Sequence, residues 1–245
     1  MTLTYITKND YIAVTDIIQH ALLPIYKMGT VYASDNLSEF ILDDMDRFPQ
    51  NYIGIKVENQ IVALVQLNLT QNDLHINNIA VLPSFQGKSY GAYLLKHCLD
   101  IAKNHSLAVT LKVHSTNTVA LNWYTKFGFL VLEQEHWSHY LQGCGKLLLS
   151  CCPQINVLDP HAFTRYGISN VNIMNSSNNL LAEAFLINNK QLKLKRIYDN
   201  LTELELCLEE CCQHSLLFRH DDRKSFCDVP GVESWNILNL YHSCN

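Results

Sequence analysis

A glycine-containing loop between a short apolar strand and an amphipathic helix is the segment of this sequence that most clearly predicts chemistry. Residues 79–92 read Ile-Ala-Val-Leu-Pro-Ser-Phe-Gln-Gly-Lys-Ser-Tyr-Gly-Ala. A loop of this kind turns several backbone N–H groups toward one point, and the following helix adds the positive end of its dipole there. The segment therefore predicts a cradle for an anionic, phosphate-bearing ligand.

The elements that must position this loop follow from the spacing of the apolar residues. Alternating or β-branched runs predict strands, and apolar residues three and four apart predict amphipathic helices. The predicted strands are 3–6, 52–57, 61–69, 74–82 and 109–113, followed by two short strands at 129–133 and 139–141. The predicted helices are 10–23, 36–47, 89–104 and 117–126.

The paired glycines of Gly143-Cys144-Gly145 interrupt the periodic pattern and predict a domain boundary. We therefore expect one domain at 1–142 and a smaller α+β domain at 143–245. The second domain is predicted to contain strands at 171–174, 180–187 and 191–198 and a helix at 201–213. It carries no catalytic motif that we recognise and no convincing repeat of the first domain, and its role is left open.

The composition of the chain limits the kinds of partner that the protein binds and the cellular compartment in which it is expected. A formal net charge of -5 and a pI near 6.1 argue against nucleic acid as the partner. The sequence has no secretory leader pattern and no apolar run of membrane-spanning length, so we expect a cytoplasmic protein that does not bind membranes. Nine cysteines, an odd number without a secretory signal, indicate reduced thiols.

Several cysteines and histidines crowd the region 207–227, which raises the question of a metal site. They are Cys207, Cys211, Cys212, His214, His220 and Cys227. No Cys-x-x-Cys pair faces a second such pair, which is the spacing that structural zinc sites use. We therefore predict no metal.

Two motifs in order support a family resemblance. The loop carries Gln86, Gly91 and Ala92 in the pattern Q/R-x-x-G-x-G/A, although Ser89 stands where the pattern has its first glycine. Downstream, the chain fits N-x-x-A-x-x-x-Y-x-x-x-G-F, with its residues at Asn117, Ala120, Tyr124, Gly128 and Phe129. Residues 75–129 thus resemble the GCN5-related N-acetyltransferase (GNAT) superfamily, and the resemblance covers residues 1 to about 142.

The resemblance implies an α/β (α+β) fold with a mixed, mostly antiparallel central sheet flanked by helices. It implies transfer of an acetyl group from acetyl-CoA, the co-substrate, to a primary amine by direct attack in a ternary complex. A backbone N–H near Val81 would polarise the thioester carbonyl, and the pantetheine arm would lie where two strands splay apart. The implied cofactor-binding residues are Ile79, Val81, Gln86, Gly87, Lys88, Ser89, Tyr90, Gly91, Ala92 and Asn117.

Two catalytic residues are implied in the same way. Tyr124 occupies the place of the tyrosine that protonates the leaving thiolate in this family. His75 occupies a place where some relatives carry a glutamate as general base, and imidazole titrates close to neutral pH. Glu133, Glu135 and His136 are weaker candidates for the base, and Asn117 could equally be only a helix N-cap.

The acceptor is left open. Acidic residues near the expected acceptor groove would attract a cationic amine, although a solvated acidic face explains them equally well; they are Asp35, Glu39, Asp43, Asp44, Glu133 and Glu135. The acceptor could be a protein N-terminus, a lysine side chain, a polyamine or an aminoglycoside-like amine. The sequence also leaves open the length of the acyl donor and the oligomeric state. The alternative from another class is a catalytically silent GNAT module that binds acyl-CoA as a sensor or scaffold, and a third reading makes the C-terminal part a degenerate acyltransferase domain.

Overall fold

The computed structural model of the chain describes residues 2–140, 154–175, 177–198, 215–220 and 232–244. The chain divides into two compact units, each assembled from separate segments. The first unit contains Met1–Tyr26, Ser38–Gln134 and Ile237–Asn245, and the second contains Lys27–Leu37 and Glu135–Asn236. The units are therefore interleaved in sequence, unlike the consecutive domains expected at 1–142 and 143–245.

The first unit contains the strands and helices that carry the two motifs. Its strands are β1 (Thr2–Tyr5), β2 (Tyr52–Val57), β3 (Gln60–Leu69), β4 (Asp73–Val81), β5 (Ala108–His114) and the start of β6 (Leu130–Tyr140). Its helices are α1 (Tyr11–Ala21), most of α2 (Pro24–Lys27), α3 (Leu37–Arg47), α4 (Tyr90–Asn104) and α5 (Thr118–Lys126). Short 3-10 turns lie at Lys8–Asp10, Pro49–Asn51 and Pro83–Phe85.

Strands β1 to β4 of the first unit pair in sequence order, and each pair is antiparallel. Strand β5 joins β4 in parallel, which requires a crossover connection, and α4 supplies it. The apolar stripe of α4, formed by Leu94, Leu95, Cys98 and Ala102, is fully buried against the sheet. The expected fold class, a mixed and mostly antiparallel sheet flanked by helices, is confirmed.

One strand comes from the far end of the chain. Strand β12 (Val232–His242) pairs antiparallel with β5 over residues 237–242, where the expected domain boundary would have placed it elsewhere. Leu238 and Leu240 of this strand belong to the same buried core as α4. The core of the first unit is thus completed by residues distant in sequence.

The prediction of two short strands at 129–133 and 139–141 is wrong, because β6 is one continuous strand. The polar residues between them remain in the strand because β11 (Ser215–His220) pairs with residues 136–140. The buried carboxylate of Glu135 accepts a hydrogen bond from Trp137 Nε1 at 3.0 Å and lies 3.7 Å from Arg219. A partner strand and two donors make this stretch compatible with a sheet.

The second unit repeats the strand order of the first. Its elements are β7 (Gln154–Val157), α6 (Pro160–Tyr166), β8 (Ile168–Met174), β9 (Leu180–Ile187), β10 (Gln191–Ile197) and β11. Strands β7 to β10 pair antiparallel in sequence order, and β11 joins β10 in parallel. The sequence reveals no such repeat, because the two units share strand directions without sharing a recognisable motif.

Segment 27–37 lies with the second unit through specific hydrogen bonds. Asn188 Nδ2 donates to the carbonyl of Ala33 at 2.9 Å, and the N–H of Asp35 donates to Asn188 Oδ1 at 3.0 Å. The Ser34 hydroxyl also donates to the carbonyl of Tyr166. The helix predicted at 201–213, the glycine boundary at 143–145 and most of the cysteine-rich region lie outside the described residues.

The described residues contain neither a membrane-spanning helix nor a cluster of metal-ligating side chains. None of the helices there is both long enough and apolar enough to cross a bilayer. No group of three or more His, Cys, Asp or Glu side chains in that part of the chain is placed to hold a metal ion.

Gly54 of β2 is required for close packing, which gives a test of this architecture. A Cβ at this position would lie 2.7 Å from Cδ1 of Ile6 and 3.3 Å from the carbonyl oxygen of Ala63. We expect Gly54→Ala to lower the free energy of unfolding by about 1–3 kcal/mol, the usual range for overpacking. Urea denaturation measures it.

The matched control is Gly91→Ala, where the nearest atoms to a new Cβ, on Trp123 and Val81, lie at 3.7 Å. That is an ordinary contact, so this variant should be as stable as the wild type. Equal losses at the two positions would contradict the packing assigned to Gly54.

Candidate active site

Strands β4 and β5 pair only at their beginnings. Their parallel register runs from Asp73 opposite Ala108 to Ile76 opposite Leu111 and then stops, although β4 continues to Val81 and β5 to His114. The splayed strands that the family resemblance implies are therefore present. Beyond Ile76 the facing edges of β4 and β5 are unpaired as far as the glycine-containing loop. We call this unpaired stretch the slot, with its closed end at Ile76 and its open end at the loop.

The inner edge of the slot carries backbone groups of β4. The N–H of Leu82 donates to the carbonyl of Val62 on β3. This hydrogen bond shows which residues of β4 direct their backbone groups toward β3. Because alternate residues of an antiparallel strand face opposite sides, the backbone groups of Ile79 and Val81 are directed away from β3, toward the slot. Gln86 Nε2 donates to the carbonyl of Val81 at 3.1 Å, as that orientation requires.

A β-bulge at Asn77 separates the two parts of β4. Gln66 of β3 lies opposite Asn78, and the next residue, Leu67, lies opposite Ile76, so Asn77 is extra. The bulge changes which side chains face the core. Ile76 before it and Ile79 and Val81 after it all contact the α4 core, and His75 lies on the other face.

The loop after β4 presents six consecutive backbone N–H groups, from Gly87 to Ala92, that donate to no group among the described residues. Three of them belong to the first turn of α4, where helix geometry leaves them without partners. The Ser89 side chain makes no capping hydrogen bond that would satisfy them. These free donors lie in the loop for which the sequence predicts a phosphate cradle, and their binding of a ligand stays a prediction.

Ser89 adopts the backbone conformation that its position demands. Its φ is +63° and its ψ is 11°, the left-handed region that glycine enters freely. The serine thus holds a left-handed conformation that glycine enters freely, at the cost of local strain. Gly87 is also left-handed, at φ +75°.

The remaining loop side chains frame the cradle. Lys88 Nζ lies 4.8 Å above the ring of Phe85, whose centroid is 6.4 Å from that of Tyr90. A Cβ added at Gly91 would make ordinary contacts with Val81 and Trp123, so this position faces β4 and α5 without requiring a glycine for the packing. The loop is thus held by its apolar side chains while its N–H groups remain available.

Tyr124 of α5 is buried, with 8% of its surface exposed. Its ring packs against Trp123 at 4.9 Å and edge-on to Phe129 at 5.5 Å between centroids. Burial raises the pKa of the Tyr124 hydroxyl, and the nearby Cys98 thiol adds to that effect. The hydroxyl is therefore protonated at neutral pH, as a proton donor must be.

Asn117 is the N-cap of α5, and its Oδ1 accepts a hydrogen bond from the N–H of Ala120 at 3.2 Å. The capping role considered for it is confirmed. Its role in binding a cofactor stays a prediction.

His75 lies on the face of β4 opposite the α4 core. Its Nδ1 is 2.8 Å from Thr110 Oγ1, and that hydroxyl is 2.6 Å from Asp73 Oδ2. Burial lowers the pKa of His75, Asp73 opposes this change, and Lys112 adds to it. The imidazole is therefore neutral near pH 7 and can accept a proton.

The acidic residues expected around an acceptor are partly committed to other contacts. Asp44 accepts hydrogen bonds from Gln66 Nε2 at 3.1 Å and from the Tyr52 hydroxyl, and Gln66 in turn accepts from Asn78. Asn239 Nδ2 donates to Glu133 at 3.1 Å. Asp35 and Glu135 belong to the second unit, so the six acids do not form one cluster in the first.

The structure thus brings Ile79, Val81 and the loop residues to one slot, with Tyr124 in the core on the α4 side and His75 on the opposite face. Sequence reasoning missed Asp73 and Thr110. The Asp-x-His spacing on one strand was a legible signal, because residues two apart share a face. The contact between Thr110 and His75 could not be predicted from the sequence, since it depends on the register between two strands.

Residues 14–129 match the family model described as the acetyltransferase (GNAT) family. No curated protein gives a significant match.

Solved structures with a similar fold cover the whole chain. A tandem GNAT protein from the clavulanic acid biosynthesis pathway is 10% identical, with a TM-score of 0.65 over 100% of this chain and 98% of that one. A GCN5-related N-acetyltransferase from Sphaerobacter thermophilus is also 10% identical, with a TM-score of 0.62 over 100% of this chain and 96% of that one. At such identities the likeness concerns the fold, and it extends beyond the matched residues into the second unit.

The left-handed serine at the cradle gives a second test. Ser89→Gly removes the strain of a Cβ at positive φ, and we expect the free energy of unfolding to rise by roughly 1 kcal/mol. Urea denaturation again measures it.

Ser106, exposed and at φ +54° after α4, is the matched control away from the slot. Ser106→Gly should give a similar gain. A gain at Ser106 without one at Ser89 would mean that the Ser89 side chain itself stabilises the loop.

Proposed function

Because residues 14–129 of this chain belong to the acetyltransferase (GNAT) family, we propose that the protein is an acetyl-CoA-dependent N-acetyltransferase. Its acceptor is a primary amine, on a protein or a small molecule, which attacks directly in a ternary complex. The observation that carries the proposal is the slot between β4 and β5, with the free N–H groups of Gly87 to Ala92 at its open end. A pyrophosphate fits those donors, and an extended arm fits the unpaired edge of β4.

Each residue then has a chemical task. The N–H of Val81 stabilises negative charge on the thioester oxygen, a role that the directed backbone groups of β4 support. His75 removes a proton, through water molecules in the slot, from the acceptor ammonium, whose ordinary pKa lies above neutrality. Tyr124 delivers a proton to the departing sulfur, for which burial keeps its hydroxyl protonated.

The alternative, a silent module that only binds acyl-CoA, depended on Ser89 as a departure from the motif. Ser89 holds the left-handed conformation that a glycine would hold, so this support is lost. Release of free thiol from acetyl-CoA with any amine would exclude the alternative. A suitable panel contains spermidine, kanamycin, a peptide with a free α-amine and an Nα-blocked lysine peptide.

We further propose that the protein is located in the cytoplasm. The two cysteines whose side chains are described, Cys98 and Cys244, are free thiols, which suits a reducing compartment.

Gly87→Asp tests the cradle. A Cβ on Gly87 meets no atom within 4 Å, and aspartate tolerates positive φ better than most residues. A carboxylate about 6 Å from two phosphate charges repels them by about 1.4 kcal/mol in water, so the Kd for acetyl-CoA should rise about tenfold. Isothermal titration calorimetry at low salt measures it.

Gly87→Asn is the control, because asparagine has the same size and the same tolerance of positive φ without the charge. It should bind acetyl-CoA nearly as well as the wild type. Equal affinity of the Asp and Asn variants would remove the pyrophosphate from this loop.

Tyr124→Phe tests the proton donor. Phenylalanine preserves the packing against Trp123 and Phe129, so the fold and the Kd for acetyl-CoA should not change. Loss of the hydroxyl should lower kcat about 100-fold, within the usual contribution of a general acid. Steady-state thiol release measures kcat.

Tyr93→Phe, on the exposed side of α4, is the matched control and should leave kcat unchanged. An unchanged kcat in Tyr124→Phe would assign Tyr124 to packing alone.

A further inference from the structure

Three side chains on the face of the sheet opposite α4 form a continuous hydrogen-bonded chain. Asp73 and His75 lie two apart on β4, and Thr110 lies on β5 directly opposite His75 in the parallel register. The Thr110 hydroxyl oxygen is 2.6 Å from Asp73 Oδ2 and 2.8 Å from His75 Nδ1. A single hydroxyl therefore joins the carboxylate to the imidazole.

The direction of each hydrogen bond follows from the number of protons available. The hydrogen bonds that Asp73 accepts from Thr110 and Thr70 outweigh its burial and hold its pKa below the usual range, so it is a carboxylate and only accepts. The hydroxyl proton of Thr110 must then point at Asp73. Thr110 can only accept from His75, so Nδ1 carries the proton of the neutral imidazole and Nε2 carries the lone pair.

The place of His75 suits a base. It is one residue before Ile76, where β4 and β5 part, so it stands at the closed end of the slot. Among the described residues no group forms a hydrogen bond with Nε2. Tyr124 belongs to the core on the opposite face, so an acid and a base would act from different sides of the thioester.

We propose that Asp73 and Thr110 are positioning residues that fix His75 in the Nδ1–H tautomer and thereby present Nε2 to the acceptor amine. This inference rests on the proposed acetyl transfer. His75 and Val81 lie at opposite ends of the slot, so the ammonium passes one proton to Nε2 through water molecules. The amine then attacks, so that the C–N bond forms and the C–S bond breaks. A second proton from the amine nitrogen reaches the CoA sulfur by way of Tyr124, and the proton on His75 passes to solvent.

The charges around His75 come from two strands. Asp73 on β4 favours the imidazolium, and Lys112 on β5 disfavours it. On β3 the residue opposite is Asn68, which carries no charge, and Tyr241 on β12 lies opposite Thr110. The two charges act in opposite directions, which leaves the hydroxyl chain as the feature that distinguishes one ring nitrogen from the other.

The experiment is nitrogen NMR of the full-length chain labelled with ¹⁵N-histidine, at a pH above the His75 pKa. His75→Gln identifies the His75 signals among the 11 histidines. The wild type should show a protonated Nδ1 and an unprotonated Nε2. Thr110→Val, which keeps the shape and the strand preference of threonine but has no hydroxyl, should lose this tautomer, and Thr110→Ser should keep it.

The same variants are assayed with acetyl-CoA and the amine panel. Thr110→Val should lower kcat at least about tenfold without changing the Kd for acetyl-CoA, and Thr110→Ser should stay close to the wild type. Rescue by serine separates positioning from a purely structural role, because a packing defect would persist when the methyl group is removed.

Each other outcome overturns a stated part. A protonated Nε2 in the wild type, or an unchanged tautomer in Thr110→Val, overturns the hydrogen-bonded chain whatever the activity. If the NMR spectra show the expected tautomers but the kcat of Thr110→Val is unchanged, the role of Thr110 in catalysis is overturned. Absence of turnover with every amine, despite binding of acetyl-CoA, overturns the proposed function and with it the catalytic role, while the NMR result still decides whether the chain exists.

Discussion

The separation of β4 from β5 after Ile76 is the constraint on which the site depends. Peptide groups inside a sheet ordinarily pair, and leaving them without partners in a dry interior costs free energy. The groups of Ile79 and Val81 escape that cost only where water or a ligand reaches them, so the open slot and the unpaired edge require each other. The loop, α4 and α5 surround this opening.

The bulge at Asn77 gives the slot two chemically different sides. Without the extra residue, Ile79 and Val81 would fall on the same face as His75, and the apolar wall on the α4 side would be interrupted. With it, apolar side chains line one face on both sides of the bulge, and polar side chains gather on the other. A single inserted residue thus places apolar side chains of β4 beside α4 and leaves Asp73, His75 and Asn78 on the other face.

The sequence predicts the first unit well from Tyr52 to Lys126, because each strand and helix there follows from its own apolar period and its own caps. It fails where a residue's state depends on a distant partner. The break expected inside β6 reflects polar residues that only β11 and Arg219 make acceptable in a strand. The loop donors were predictable from a local motif, whereas the contact of His75 with Thr110 depends on parallel register, which no local pattern encodes.

The pairing of β12 with β5 has a consequence for synthesis of the chain. Leu238 and Leu240 close a core whose other members leave the ribosome much earlier, so the first unit cannot finish folding while the second is still being made. Until β12 arrives, one edge of β5 and the apolar surface beneath it are open to other chains. The segments on both sides of the slot are therefore made early, but the core that supports them is completed only when β12 has been made.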